Sequence, residues 1–252
     1  MPFTFSHPAI ILPLTLKKLR LSATGLIVGS LIPDFEYFIR MRDLSRYSHT
    51  LVGLFWFDVP VALLACFIYH QVVRDPLFNN LPFFLKQRVF VYKKFQWIEY
   101  FKKNWIVVLL SIIIGASSHL LWDDFTHETK FFVQRQPDLS EMMRVGTINL
   151  AGYRFLQFIS SVVGGLIVII TILALKKRPC NDKTIDIKYW ALLVFTSGTV
   201  MIMRYVKGLY LHDFRVIVVS FITSILIALI LTPMILNQPQ QPPPATPKQP
   251  GA

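Results

Sequence analysis

The sequence is poor in charged residues and in cysteine. Only 16% of its 252 residues are charged, whereas 54% are hydrophobic, and there are two cysteines. Soluble domains carry about a quarter charged residues, so this composition is not that of a water-soluble domain. Two cysteines, one of them within an apolar run, do not form a disulfide framework. The chain therefore needs an apolar solvent, and a membrane supplies one.

The sequence also lacks the short motifs of the common nucleotide-dependent and serine-dependent enzymes. It has no Walker motif, no Rossmann glycine pattern and no nucleophile elbow. Its net charge of +12 does not indicate nucleic-acid binding, because the basic residues gather in loops, where the cytoplasmic side and anionic lipids favour them. We expect no nucleic-acid partner, since no reading motif accompanies the charge. We also expect no cleavable signal peptide, because the first seven residues lack a basic region, so that His7 remains in the mature protein.

Apolar runs approach the length of about 20 residues that spans a bilayer. They predict five transmembrane helices, at 51–69, 105–122, 155–175, 190–203 and 216–236. Before them, 8–39 reads as a helical hairpin with a basic turn, in which Gly25, Gly29 and Ser30 allow close helix packing. We therefore predict an all-α polytopic membrane protein with a single membrane-embedded domain, 1–236. The Pro/Gln-rich tail, 237–252, is expected to be disordered.

The segment 71–104 is basic and aromatic. It holds seven lysines and arginines against Asp75 and Glu99, interleaved with aromatic residues, which predicts an interfacial cytoplasmic loop whose helices lie in the head-group plane among membrane lipids. Counting basic residues puts the hairpin turn and 176–189 on the same side. We expect a multi-pass membrane protein with the ends of the hairpin towards the outer face.

A stripe of possible metal ligands follows the second apolar span. His119, Asp123 and His127 are spaced i, i+4 and i+8, so on a continuing helix they share nearly one face. Neutral nitrogen and ionised oxygen donors suit zinc and similar divalent ions. The predicted topology brings further ligands, His7, Asp34 and His49, to the same end. A structural pair, with Asp123 holding His119 by a hydrogen bond, is the alternative to a metal site.

Other polar residues have less specific interpretations. Asp58 lies two turns or more below His49, where it can hydrogen-bond a ligand histidine or pair two helices. Glu36 and Asp124 are candidates for a general base, although a surface carboxylate is the commoner outcome for Glu36, and Asp124 points about 100° away from Asp123 around the helix. His70 and His212 are expected to be ordinary interfacial side chains.

The order and spacing of these residues resemble those of known protein families. The order His7, Asp34 (in Pro33-Asp34), His49 and His119-x-x-x-Asp123 resembles the bacterial membrane-bound metal-dependent hydrolases, and more distantly the zinc-dependent phospholipase C and nuclease superfamily. The segments Thr-Phe-Ser-His-Pro-Ala, Ile-Pro-Asp-Phe-Glu-Tyr and Tyr-Ser-His-Thr also resemble a domain-of-unknown-function family of small bacterial membrane proteins. The match covers mainly 5–50 and 115–128, under a third of the chain.

The resemblance implies a ligand set and a reaction. One ion would be held by Asp34, His49, His119 and Asp123, a second ion would share Asp123 with His7, and His127 would correspond to a third-site ligand. The downstream His and His-x-x-x-Glu pair of the soluble enzymes is missing, so a complete three-metal site is not expected. The implied activity is hydrolysis of a phosphoester or lipid-linked substrate, assisted by one or two divalent ions, zinc above all. The competing hypothesis is a transporter or scaffold, but a transporter places ionisable groups near the bilayer midplane, where only Asp58 is a candidate.

Overall fold

The computed structural model describes 3–15, 19–180, 182–208 and 213–237. Structural statements below concern these residues only. The basic turn of the hairpin falls partly on 16–18 and so lies partly outside them. His212 and the tail beyond Asn237 also lie outside the described residues.

The described chain is almost entirely helical. Five helical segments are long and apolar enough to cross a membrane: Leu51–Asn80, Trp97–Arg135, Gly152–Ala174, Ile187–Val206 and Phe214–Ile235. The predicted all-α polytopic membrane fold is thereby confirmed. In chain order the α-helices are α1 (Pro8–Ile11), α2 (Ala23–Leu31), α3 (Phe35–Arg40), α4 (Leu51–Gly53), α5 (Val59–Ile68), α6 (Arg74–Asn80), α7 (Phe83–Val89), α8 (Trp97–Thr126), α9 (Phe131–Arg135), α10 (Pro137–Ser140), α11 (Gly152–Ala174), α12 (Ile187–Val206) and α13 (Phe214–Ile235).

Two π-helical turns make α4, α5 and α6 one continuous helical segment. They span Leu54–Asp58 and Tyr69–Val73. The one described sheet is a hairpin of β1 (Met142–Val145) and β2 (Ile148–Ala151), which pair antiparallel. Gly146 takes a left-handed φ of 62° in its turn, a conformation that glycine adopts without a steric penalty. The sequence interpretation did not anticipate this hairpin.

Small residues let α2 and α8 pack with their backbones in contact. A Cβ at Gly29 would lie 2.4 Å from the carbonyl oxygen of Ile112, and a Cβ at Gly115 would lie 2.4 Å from that of Leu26. A larger side chain at either position would separate the helices. Glycine at these positions therefore brings Ser30, at the end of α2, beside the ligand-bearing part of α8.

The segment 71–104 contains helices, as the sequence predicts, but its first part continues the preceding span. Its position in the head-group layer stays a prediction. The helix expected to end at Tyr69 runs on to Asn80, and α7 and the first turns of α8 account for much of the remainder. The reason is burial of Arg74, which bonds Asp75 and the carbonyl oxygens of Lys93 and Phe95. The helical geometry of α8 breaks at Asn104 (φ −132°, ψ 27°), next to the predicted start of the next span, although the helix itself begins at Trp97.

His70 is also different from its expected interfacial role. It is buried, with its ring stacked on that of Trp97 at 4.6 Å and its nitrogens next to Thr24 and Arg74. This polar network involves Thr24, Arg74 and Trp97 rather than the predicted ligands. A cluster of buried apolar side chains forms the core of this region and includes Leu54, Ala62, Cys66, Ile112 and Ala116.

The N-terminal segment is fixed on α11. The Phe3 amide donates to Ser161 Oγ (2.9 Å), and Ser6 Oγ donates to the Ser161 carbonyl oxygen (2.7 Å). A Cβ at Gly164 would lie 2.8 Å from the Ser6 carbonyl oxygen, so only glycine permits this approach. The contacts hold the residue that follows Ser6, His7, against the end of α8.

Candidate metal centre

α8 contributes His119 and Asp123, one helical turn apart. His119 is 0% exposed and Asp123 is 1% exposed. His119 Nδ1 lies 2.8 Å from the Ser30 carbonyl oxygen, and since a carbonyl can only accept, Nδ1 carries the proton. In the neutral imidazole the other nitrogen, Nε2, then presents a lone pair, 3.4 Å from Asp123 Oδ2.

The hairpin contributes Asp34 from the turn after α2. Pro33 lies in the 3-10 turn Ile32–Asp34 that ends this helix and aims the carboxylate at α8. Thr4 Oγ1 donates to Asp34 Oδ2 at 2.6 Å, whereas Asp34 Oδ1 is buried without a hydrogen-bond partner. That free oxygen lies 3.6 Å from His119 Nε2 and 3.5 Å from His49 Nε2.

The loop before α4 contributes His49 in a left-handed conformation. Its φ is 59°, a region that costs a residue with a side chain about 1–3 kcal/mol and that clusters at functional sites. The hydroxyl groups of Ser45 and Ser48 lie 3.3 and 3.1 Å from His49 Nδ1. His49 Nε2 consequently faces Asp123 Oδ2 at 3.2 Å.

Glu36 holds this loop in place. Its carboxylate accepts from the amides of Arg46, Tyr47 and Ser48 at 2.8–3.0 Å, and from Arg40 Nε at 2.8 Å. Burial alone would raise the pKa of Glu36, but these donors lower it to about 2, so the side chain is ionised. Among the described residues, Glu36 therefore contacts the loop rather than the cluster, and a base role has no contact to support it.

We expect Glu36→Gln to weaken metal binding without touching a ligand. Neutral glutamine cannot accept from all the loop amides, so the loop holds His49 less firmly. The expected loss of metal affinity is about 10- to 100-fold, as for other residues that orient ligands. Titration of the apoprotein with zinc, by isothermal calorimetry, measures it. Glu99→Gln makes the same chemical change on an exposed face of α8 and should bind as the wild type does; equal affinities for both variants would contradict this role.

His7 adds a third imidazole to the cluster. Its ring stacks on that of His119, with centroids 3.7 Å apart and planes 14° apart. His7 Nε2 lies 3.8 Å from Asp123 Oδ1, and neither ring nitrogen has a hydrogen-bond partner among the described residues. Burial, together with the neighbouring His119, lowers the pKa of His7 to about 3. His7 is therefore neutral and has a lone pair available.

His127 lies at the rim of the cluster and outside the helix. α8 ends at Thr126, and His127 has extended backbone (φ −124°), so the expected third helical position on the stripe is wrong. Its Nδ1 lies 3.0 Å from the Asp123 carbonyl oxygen and 3.6 Å from Asp123 Oδ1. The side chain still returns towards Asp123, so a ligand role for His127 stays a prediction.

Two predicted carboxylates lie apart from the ligand atoms. Asp124 Oδ1 accepts from the Phe131 amide at 3.2 Å and so holds the start of α9. Asp58 is fully buried in the first π-helical turn, and neither of its oxygens has a hydrogen-bond partner among the described residues. No described contact thus favours either of the two interpretations of Asp58.

The five remaining residues form one cluster. The residues form two overlapping groups, His7–His119–Asp123 and Asp34–His49–His119. Within each group the possible ligand atoms lie within 4.8 Å of one another. Burial alone would raise the pKa of Asp34 and lower that of His49, but His119 above all lowers the pKa of Asp34 and Asp123 above all raises that of His49. Such a buried arrangement of imidazoles and carboxylates can hold a metal ion.

Sequence reasoning missed the residues that orient the ligands. Thr4, Ser30, Ser45 and Ser48 bond the far side of Asp34, His119 and His49. Thr4 and Ser48 fall within the segments that carried the resemblance, and that was the available signal. Ligand-orienting partners of this kind fix the tautomer and direction of metal-binding side chains.

Comparison with known proteins gives one match. Residues 1–234 match the family model described as Domain of unknown function (DUF4184). No curated protein matches the chain, and no solved structure does.

Proposed function

The chain belongs to the DUF4184 family, and we propose that it is an integral-membrane, metal-dependent hydrolase of phosphoester or lipid-linked substrates. The membership confirms the expected family of unknown function, while the resemblance to metal-dependent hydrolases stays a prediction. The observation that carries the proposal is a set of buried ligand atoms without partners. They include Asp34 Oδ1, His49 Nε2, His119 Nε2 and Asp123 Oδ1.

Unpartnered buried polar atoms are costly. Each costs about 1–3 kcal/mol when it loses its hydrogen bonds to water, and four of them converge within one cluster. A cation bound between Asp34, His49 and His119 would satisfy three of them, and a second cation beside His7 would satisfy Asp123 Oδ1. A scaffold built only to pair helices would gain nothing from leaving these atoms unbonded, which favours the metal site over the structural Asp–His pair.

The four separations between the imidazoles and the carboxylates are near those around a tetrahedral ion. The measured separations between the two histidines and the two carboxylates are 3.2, 3.4, 3.5 and 3.6 Å. Ligands about 2.1 Å from a tetrahedral zinc ion lie about 3.4 Å from one another. The agreement supports zinc at Asp34, His49, His119 and Asp123.

The two oxygens of Asp123 face different partners. Oδ2 lies near His49 and His119, and Oδ1 lies near His7 and His127. Asp123 would therefore bridge two ions, the second of them bound by His7. A divalent ion supplies Lewis acidity and lowers the pKa of a bound water.

The rim of the cluster carries a positive charge. Lys130 Nζ lies 3.5 Å from the His49 carbonyl oxygen, where it would attract an anionic phosphoester. From the distribution of basic residues we assign this rim to the outer face of the bacterial cytoplasmic membrane. The site would then meet substrates at the head-group layer.

We expect detergent-purified protein loaded with zinc or manganese to hydrolyse a phosphoester, and a chelator to abolish the activity. Asp34→Asn keeps the side-chain shape and the Thr4 contact but removes the charge, so kcat/KM should fall by about 100-fold or more. Asp138→Asn, the same change on an exposed residue of α10, should retain wild-type activity. The assay uses p-nitrophenyl phosphate, bis(p-nitrophenyl) phosphate and a phospholipid. No turnover above a protein-free blank with any of the three would overturn the proposal.

A further inference from the structure

An apolar groove runs from the metal cluster along α11. Its volume is about 330 Å³, and it lies between the N-terminal segment, the end of α8 and one face of α11. The lining residues are Ser6, His7, Ala9, Ile10, Trp122, Leu156, Ile159, Ser160, Val163, Gly164 and Ile167. We call this feature the α11 groove.

We infer that the α11 groove holds one hydrocarbon chain of an amphiphilic substrate whose head group meets the metal cluster. That this lipid is a substrate rests on the proposed function, whereas occupancy of the groove by a hydrocarbon chain does not. The substrate class is a lipid with one or two hydrocarbon chains and a hydrolysable polar head. A second copy of this chain and a polypeptide segment are the excluded occupants.

The walls of the groove are apolar apart from His7 at the end beside the metal cluster. The hydroxyl groups of Ser6 and Ser160 are its polar side chains besides His7, and each donates within the protein, to the carbonyls of Ser161 and Gln157. The remaining lining is aliphatic or aromatic. Ile159, Val163 and Ile167 are partly exposed within a membrane-spanning helix, so the groove opens to the lipid chains of the bilayer.

The dimensions of the groove match one lipid chain. From Leu156 to Ile167 α11 rises eleven residues, about 16 Å, which is about half the 30 Å thickness of the hydrocarbon core. A chain from one leaflet would therefore fill it. A helix with its side chains is about 10–12 Å across, too wide for a groove of this volume.

The groove is continuous with the metal cluster. His7 lines the groove and also stands 3.8 Å from Asp123 Oδ1. Trp122, the residue before Asp123, forms the wall at the same end. The polar head of a lipid whose hydrocarbon chain lies along α11 would thus meet the His7–His119–Asp123 group.

A photolabelling experiment tests the occupancy without requiring activity. The probe is a phospholipid with a diazirine in its acyl chain, added at equimolar ratio to detergent-purified full-length protein and mapped by mass spectrometry. We expect labelling concentrated on the groove face of 156–167. Ile167→Trp fills the groove away from His7 and should reduce that labelling about tenfold, because each buried methylene contributes roughly a fourfold factor.

Ile170→Trp is the matched control. Ile170 lies on the same helix, is exposed and does not line the groove, so this variant should label as the wild type does. Both variants should keep the wild-type metal content. Equal labelling of all exposed faces of α11, or equal labelling of the two variants, would overturn the groove as a chain site.

A kinetic comparison separates this inference from the proposed function. Ile167→Trp should raise KM for a long-chain phosphoester about tenfold and leave the hydrolysis of p-nitrophenyl phosphate unchanged. Hydrolysis with no dependence on chain length and no labelling would retain the hydrolase and reject the chain site. Labelling as expected without any hydrolysis would retain the chain site and reject the hydrolase.

Discussion

Asp123→Ala should abolish metal binding entirely. Its two oxygens face both groups of ligand atoms, so removing the carboxylate should empty both. His119→Ala should have the same effect, because this imidazole belongs to both groups. His7→Ala belongs to one group only and should retain the ion held by the other four residues. Elemental analysis of detergent-purified protein, loaded with zinc and then desalted, measures the stoichiometry.

The comparison needs variants that remain folded. Asp138→Ala, on an exposed turn, is the control for removing a carboxylate, and size exclusion with far-UV circular dichroism checks the fold of every variant. Near-stoichiometric metal that disappears only in Asp123→Ala and His119→Ala would establish the centre. A wild-type protein that binds no metal even after reconstitution would leave the cluster as a pairing between helices.

The second large effect is expected at a glycine. Gly115→Leu would drive a side chain into the Leu26 carbonyl and the Ser30 amide, which lie 2.4 and 2.7 Å from an added Cβ. Since both obstacles are backbone atoms, α2 would have to move away from α8. Overpacking in a tight core costs about 1–3 kcal/mol or more, and the separation would also break the bond from His119 to Ser30. We expect lower thermal stability together with loss of metal.

Gly198→Leu is the matched control for this substitution. Gly198 lies within α12, and nothing is found within 4 Å of an added Cβ there. Thermal unfolding in the same detergent should therefore give a wild-type midpoint for Gly198→Leu and a markedly lower one for Gly115→Leu. Equal midpoints would show that the contact between α2 and α8 is more compliant than its geometry indicates.

The ligand cluster was largely predictable because it depends on local signals. Helical spacing places His119 and Asp123 on one face, and Pro33 marks the turn that presents Asp34. Apolar runs of nearly the length of a bilayer located the five spans. These signals lie within a few residues of what they predict. The gathering of His7, Asp34 and His49 at the same end depended instead on the predicted topology of the helices.

The roles of Glu36 and Arg74 could not be predicted from their neighbours in sequence. Glu36 binds amides ten to twelve residues away, and Arg74 bonds carbonyl groups about twenty residues away. A basic and aromatic composition indicates interfacial helices, but it does not reveal that burial of Arg74 among such partners accompanies continuation of the preceding helix to Asn80. His127 was misplaced for a simpler reason: periodicity does not reveal that the helix ends one residue earlier, at Thr126.

The π-helical turn Leu54–Asp58 has a consequence for the length of the chain. A π-helix accommodates one residue more than an α-helix of the same span, and such insertions occur often at functional sites. Deletion of a single residue there would let the turn rewind as α-helix and leave the segments on both sides in register, so that His49 keeps its place. The same deletion in the regular helix Val59–Ile68 would instead rotate the part before it by about 100° and carry His49 away from Asp34 and Asp123. A relative shorter by one residue at the π-helical turn would therefore keep both its membrane span and the cluster.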